Sequence, residues 1–174
     1  MADGNREVLE ARARQLARVP DEPPRAGEVL ELVGFVLAGE RYGIESRFVR
    51  EVARLTRFTP VPGTPDFVLG ITNLRGEILA LFDLRHLLGV VAEGVTDLGR
   101  IVVLGGNRRE FGLLADAASE ILYVPGASLA QTETAWGRAY LHGVSPDGLV
   151  VLSGEALLSD PRLTIDPGRG SVHA

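Results

Sequence analysis

Neither cysteine nor lysine occurs in these 174 residues, and all eighteen basic side chains are arginine. The missing thiol excludes disulfides, thiolate metal sites and cysteine nucleophiles. It also suits a reducing compartment, so a cytoplasmic location is expected. The missing amine excludes Schiff-base chemistry and the lysine of a phosphate-binding loop. Positive charge is short overall: the formal net charge is -5. Nucleic-acid binding driven by the phosphate backbone needs a basic face that releases counterions, so no DNA or RNA partner is expected. Nowhere does the chain approach the ~20 consecutive apolar residues of a membrane span, and Met1 to Arg18 holds no apolar signal core. Neither export nor membrane insertion is expected.

The three histidines, His86, His142 and His173, lie in different segments with no two at ligand spacing, so no metal or other cofactor is expected. Gly105, Gly106 and Asn107 read as a turn between strands, because no helix follows to offer a phosphate-binding N-terminus. A hydrolase using Asp83 and Asp116 is a remote alternative, since the two aspartates fall at element boundaries in different halves. No enzymatic activity is expected.

What is present is a chain 45% apolar and long enough to bury its own core. Asn5 can cap a helical extension over residues 1–19, with Leu9, Ala13 and Leu16 as a thin apolar stripe and Pro20 as its stop. Residues 20–29, with Pro23 and Pro24 in tandem, form a linker. From Leu30 the period changes to two, giving a strand apolar on both faces, a turn at Gly39 and Glu40, and a second strand from Tyr42 to Ile44. A third strand follows over Val49 to Leu55. Thr59 to Pro65 is a crossing loop, since three prolines remove three ladder donors. Phe67 to Leu74 and Glu77 to Phe82 make a hairpin with Gly76 at its left-handed position. Asp83 caps a short helix ending at Gly89. After a polar spacer, strands return at Arg100–Leu104, Phe111–Ala115 and Glu120–Val124. Gln131 to Trp136 is a loop, Arg138–Val144 and Leu149–Leu152 form a hairpin, and Ser153 caps a last helix. Residues 161–174 read as a flexible tail.

Sliding the chain on itself by 69 to 70 residues superposes Tyr42 and Gly43 on Phe111 and Gly112, Glu51 and Val52 on Glu120 and Ile121, and Asp83 on Ser153. The fold class is therefore all-β, with two repeats over about 30–92 and 98–160, and paired small barrels that must pack together to make a core. The repeats differ at one hairpin tip. The first has Asn73, Leu74, Arg75, Gly76 and the second Ser145, Pro146, Asp147, Gly148, a plain turn sequence. Only the glycine is required by the turn, and an arginine flanked by apolar residues is an exposed fork suited to an interface.

The run Glu40 to Ile44, then Val49 to Val52, Pro62 to Pro65, Phe67, Gly70, Asn73 to Gly76, Ile78 and Phe82 to Arg85 resembles the CheW family of chemotaxis coupling proteins. The resemblance implies a CheW-like domain over 30–160, made of two intertwined SH3-like five-stranded β-barrels. It further implies a non-catalytic adaptor that couples the cytoplasmic tips of methyl-accepting chemoreceptors to the regulatory domain of a CheA-type histidine kinase. A diverged adaptor or competitor in a non-chemotactic kinase pathway is the alternative. Partner-binding positions carried over residue by residue are Val49, Glu51, Gly70, Asn73, Leu74, Arg75 and Gly76. Each also has a plainer reading. Arg75 can pair with Glu77 or Asp66, Glu51 can be an exposed strand residue, Gly70 can serve close strand approach, and Val49 can be core. The family usually has an aspartate followed by small and β-branched residues, whereas here Asp116 is followed by Ala117 and Ala118.

Overall fold

The computed structural model describes residues 27–89, 99–131 and 139–163. The helix expected over 1–19, most of the 20–29 linker, most of the spacer, the 132–136 loop and residues 164–174 lie outside them. The first five strands are β1 (Val29–Leu37), β2 (Glu40–Glu45), β3 (Val49–Arg54), β4 (Val68–Leu74) and β5 (Glu77–Phe82), followed by helix α1 (Leu84–Leu88). The second five are β6 (Arg100–Leu104), β7 (Phe111–Ala115), β8 (Ala117–Pro125), β9 (Leu141–Val144) and β10 (Val150–Leu152), followed by helix α2 (Gly154–Ser159).

The strands form two five-stranded sheets, ordered β8-β1-β2-β10-β9 and β3-β6-β7-β5-β4. Neither sheet is built from one half of the chain. Under the sequence repeat β1 and β2 correspond to β6 and β7, so each sheet combines the first two strands of one repeat with the last three of the other. In each sheet the two halves join twice, through the parallel pairs β2–β10 and β5–β7 and through the antiparallel pairs β1–β8 and β3–β6, while β1–β2 and β6–β7 remain antiparallel hairpins within a repeat.

Each sheet closes on itself in the same way. Past β3 the chain curls round so that Thr59 and Ile71 exchange backbone hydrogen bonds of 2.8 and 2.9 Å, joining the two outer strands. Past β8, Ala130 does the same with Val144, at 2.9 and 3.0 Å. Closure removes exposed sheet edges, and register slips help the strands bend. The slips recur at repeat-equivalent places: between Val49 and Glu51 opposite β6, and between Gly34 and Phe35 opposite β8.

Two small cores fill the barrels. Leu79, Leu81, Ile101, Val103 and Leu114 fill one, and Leu30, Leu32, Leu149 and Val151 the other. The largest apolar cluster belongs to both: Phe35, Tyr42 and Ile44 of one sheet meet Phe82, Phe111 and Leu113 of the other, with Phe82 and Phe111 edge-on at 5.3 Å. Small barrels bury too little alone, and the shared layer supplies the rest.

Three local outcomes refine the sequence reading. The first hairpin turns one residue earlier than expected, at Ala38 (φ 54°) and Gly39 (φ 81°), because Ala38 N–H donates to Asp116 Oδ2 at 2.8 Å and is held there. The strand ladder starts at Val29 rather than after it. At the other end the fold continues through Leu163, which is buried in the shared core, so the chain is ordered past residue 161.

Candidate partner-binding surface

The hairpin β4–β5 ends in a two-residue loop. Leu74 pairs with Glu77, and both loop residues, Arg75 (φ 52°) and Gly76 (φ 88°), are left-handed. That geometry matches the twist of the flanking strands but asks for asparagine or glycine at its first position. A left-handed arginine costs about 1 kcal/mol. Asn73 offsets part of this, its Oδ1 accepting from Gly76 N–H at 2.9 Å. The arginine side chain stands 72% exposed.

Glu51 lies beneath it on β3. Its side chain is only 17% exposed, and Arg75 Nε approaches Oε1 no closer than 3.8 Å. The nearer cation is Arg109, from the turn between β6 and β7, whose guanidinium reaches Glu51 Oε2 at 3.1 Å and Glu77 Oε2 at 3.1 Å. Hydrogen bonds to Glu77 and Glu51 raise the Arg109 guanidinium above its ordinary value. Four charges therefore alternate across three elements. The other barrel has a simpler counterpart, where the tip residue Asp147 meets Arg41 of the β1–β2 hairpin at 2.9 Å.

The remaining expected residues divide by role. Gly70 has φ 151°, and a Cβ there would sit 2.2 Å from the carbonyl oxygen of Thr59, so glycine is what lets the closing strand approach. Leu74 packs on the small core of its barrel, and Val49 on the shared core opposite Leu104. Arg75 and Glu51 are thus brought together, Asn73 and Gly76 shape the turn, and Gly70, Leu74 and Val49 support it from within.

Sequence reasoning missed two features. One is Arg109, which sits beside Arg108 in a turn, and nothing local says which of the two faces the hairpin. The other is a shallow apolar groove of about 640 Å³ beside the tip, lined by Leu55, Phe58, Ile71 and Ile78 among others. Ile78 is 63% exposed and Phe58 41%. Ile78 follows Glu77 directly, and an apolar residue on the outward face of a hairpin is the signal that could have found it.

Asp83 and Asp116 are each engaged by groups of the fold. Asp83 is buried as the cap of α1, and Arg85 binds its carboxylate at 2.6 to 3.2 Å. Burial pushes the Asp83 carboxyl up, but the hydrogen bonds and charge of Arg85 outweigh it and hold the group below its ordinary value. Asp116 is engaged by Ala38 N–H. Among the described residues no group of three potential metal ligands occurs.

A family model described as CheW-like domain matches residues 31–162. The chain belongs to that family. The chemotaxis protein CheW of Treponema pallidum is 33% identical over 146 residues, covering 78% of this chain and 86% of the relative. The CheW of Klebsiella aerogenes is 29% identical over 148 residues, covering 80% and 89%. Among solved structures, the scaffolding protein TtCheW of Thermoanaerobacter tengcongensis superposes with a TM-score of 0.62 at 29% identity, over 72% of this chain and 89% of its own. The two-barrel architecture is thus a CheW architecture, and the chain is a chemotaxis adaptor of the coupling type.

Proposed function

We propose that this CheW-family chain works in the cytoplasm as a non-catalytic, cofactor-free coupling protein. It holds the regulatory domain of a CheA-type histidine kinase to the cytoplasmic tips of methyl-accepting chemoreceptors. The surface that does so is centred on Arg75, with Glu51, Asn73 and Gly76 setting its position and Val49, Gly70 and Leu74 supporting it. The observation that carries this reading is the conflict at the hairpin tip. A turn that favours asparagine instead presents a left-handed, solvent-exposed arginine whose own carboxylate neighbour stays 3.8 Å away. A residue kept against its local preference marks a site held for something other than folding. The groove at Phe58 and Ile78 adds apolar contact beside the charge, the combination typical of interface anchors.

Each contact in such an assembly need only be micromolar, about 8 kcal/mol, because linked sites multiply the effect. The test is recruitment. Membranes carrying the cognate receptors are mixed with the cognate full-length kinase, with and without this chain, and pelleted. The expected result is that the kinase enters the pellet only when the chain is present. Equal sedimentation of the kinase in its absence would remove the coupling role.

A further inference from the structure

Among the described residues, the large apolar side chains left exposed fall in two places. Phe58 and Ile78 border the groove beside the hairpin tip, whereas Val29, Ile121 and Tyr123 lie on the other barrel, 57%, 50% and 67% exposed. The second group is one surface. Glu31 pairs directly with Tyr123 across β1 and β8, and Val29 and Ile121 stand two residues along on their own strands, so the four side chains share a face. Leu30, Leu32, Leu122 and Val124 take the opposite face and fill the barrel. The architecture does not ask for apolar residues on the outside. Under the sequence repeat, Glu31 and Tyr123 correspond to Arg100 and Arg54, which oppose each other in the same way on β6 and β3 and are exposed. An apolar strip on the outer face of one barrel alone marks a site of interaction.

The chain enters the fold at this strip, since Val29 is the first residue of β1. The helix that the sequence predicts after Asn5 places Leu9, Arg12, Ala13 and Leu16 on one face by their spacing of three and four. Leu9 to Leu16 spans about 10 Å of helix axis, and Val29 to Ile121 about 13 Å along the strands. Each strip carries one charge near its middle, Arg12 on the helix and Glu31 on the barrel. Glu31 Oε1 accepts from Ser46 Oγ at 2.6 Å, which fixes the carboxylate on this face. A helix this short is marginal alone in water and gains from a surface that buries its stripe. Residues 19–28 reach about 33 Å when extended, enough to lead the helix back over the face, and the tether holds it there at about millimolar effective concentration.

We propose that residues 5–18 dock as an amphipathic helix on the outer face of β1 and β8, with Leu9 and Leu16 against Val29, Ile121 and Tyr123 and with Arg12 against Glu31. The occupant of that face is thus the chain's own N-terminal segment, and any other partner for it must displace the segment. The proposal is independent of the coupling surface at Arg75, which belongs to the other barrel.

The experiment uses the full chain without kinase or receptor, so its outcome is separate from that of the recruitment test. Because cysteine is absent, Ala11→Cys, on the side of the helix away from the stripe, gives a single attachment site for a nitroxide label. Nuclear magnetic resonance then reads the paramagnetic broadening. The expected result is strong broadening of Ile121 and Tyr123, with Ile78 on the other barrel left sharp. Arg12→Glu should remove most of this broadening, and Arg12→Glu combined with Glu31→Arg should restore it, which a segment merely sweeping the surface on its tether would not show. Leu9→Asp with Leu16→Asp should remove it as well. Broadening that never appears, that survives these changes, or that the double charge exchange does not restore would overturn the proposal. So would broadening in an isotope-enriched chain that carries no label and is mixed with labelled chains, because the occupant would then be a second copy.

Discussion

At the residue scale the candidate surface is one exposed cation and the residues that hold it in place. Gly70 shows how tightly the support is built. A methyl group at this position meets the Thr59 carbonyl oxygen at 2.2 Å, and its φ of 151° suits glycine alone. Gly70→Ala is expected to lower stability by about 3 kcal/mol by forcing open the Thr59–Ile71 closure, measured by chemical denaturation. A loss under about 0.5 kcal/mol would mean that the closing strand yields freely. The difference between the two hairpin tips was legible in the sequence, because the repeat-equivalent tip lacks an arginine. The internal partner of Arg75 was not. Glu77 and Asp66 are nearer in sequence, whereas Glu51 reaches it only because strand β3 folds beneath the tip. The link from Arg109 to Glu51 spans 58 residues, and no local pattern encodes it.

At the element scale the short helices were the most legible parts, since caps are local chemistry. Asp83 accepts from Arg85 N–H and Gly89 ends α1 in the left-handed region, while Ser153 accepts from Ala156 N–H at the start of α2. The Asp83 carboxylate carries a pH signature. Its folded value lies below the ordinary 3.8, so it stabilises the fold at neutral pH, and that contribution is lost as pH falls below about 4 toward the folded value. Asp83→Asn keeps a capping oxygen but removes the charge that binds Arg85. The variant should melt lower than the native chain at pH 7, and the gap should narrow as the pH drops toward 3. A gap independent of pH would place the role of Asp83 in the cap rather than the charge. The end of the fold was less legible. Residues 161–163 hold one buried side chain, Leu163, in a polar stretch, and a network of Tyr140, Asp160 and Arg162 pins them. Arg162 also lies over the Phe67 ring, 5.9 Å from its centre, tying the last turn to the opposite barrel.

For the whole molecule, composition and the repeat gave the class and the need for two packed barrels, but strand exchange was invisible to residue pattern alone. β1 and β6 hold repeat-equivalent places, so the repeat by itself does not say which barrel each of them completes. The choice lies in long-range packing, where Phe82 and Tyr42 must reach one shared core. Exchange also makes the adaptor one mechanical unit. The tip at Arg75 belongs to a barrel whose β6 and β7 come from the second half, and Arg109, between those two strands, braces the tip from that half. The central claim is that this tip is shaped for a partner and not for the fold. Its most direct test is Arg75→Asn, which supplies the residue the turn prefers. The account predicts a melting temperature equal to or above the native one, together with loss of chain-dependent recruitment of the kinase to receptor membranes. Native recruitment by this variant, or a clear fall in its melting temperature, would contradict it.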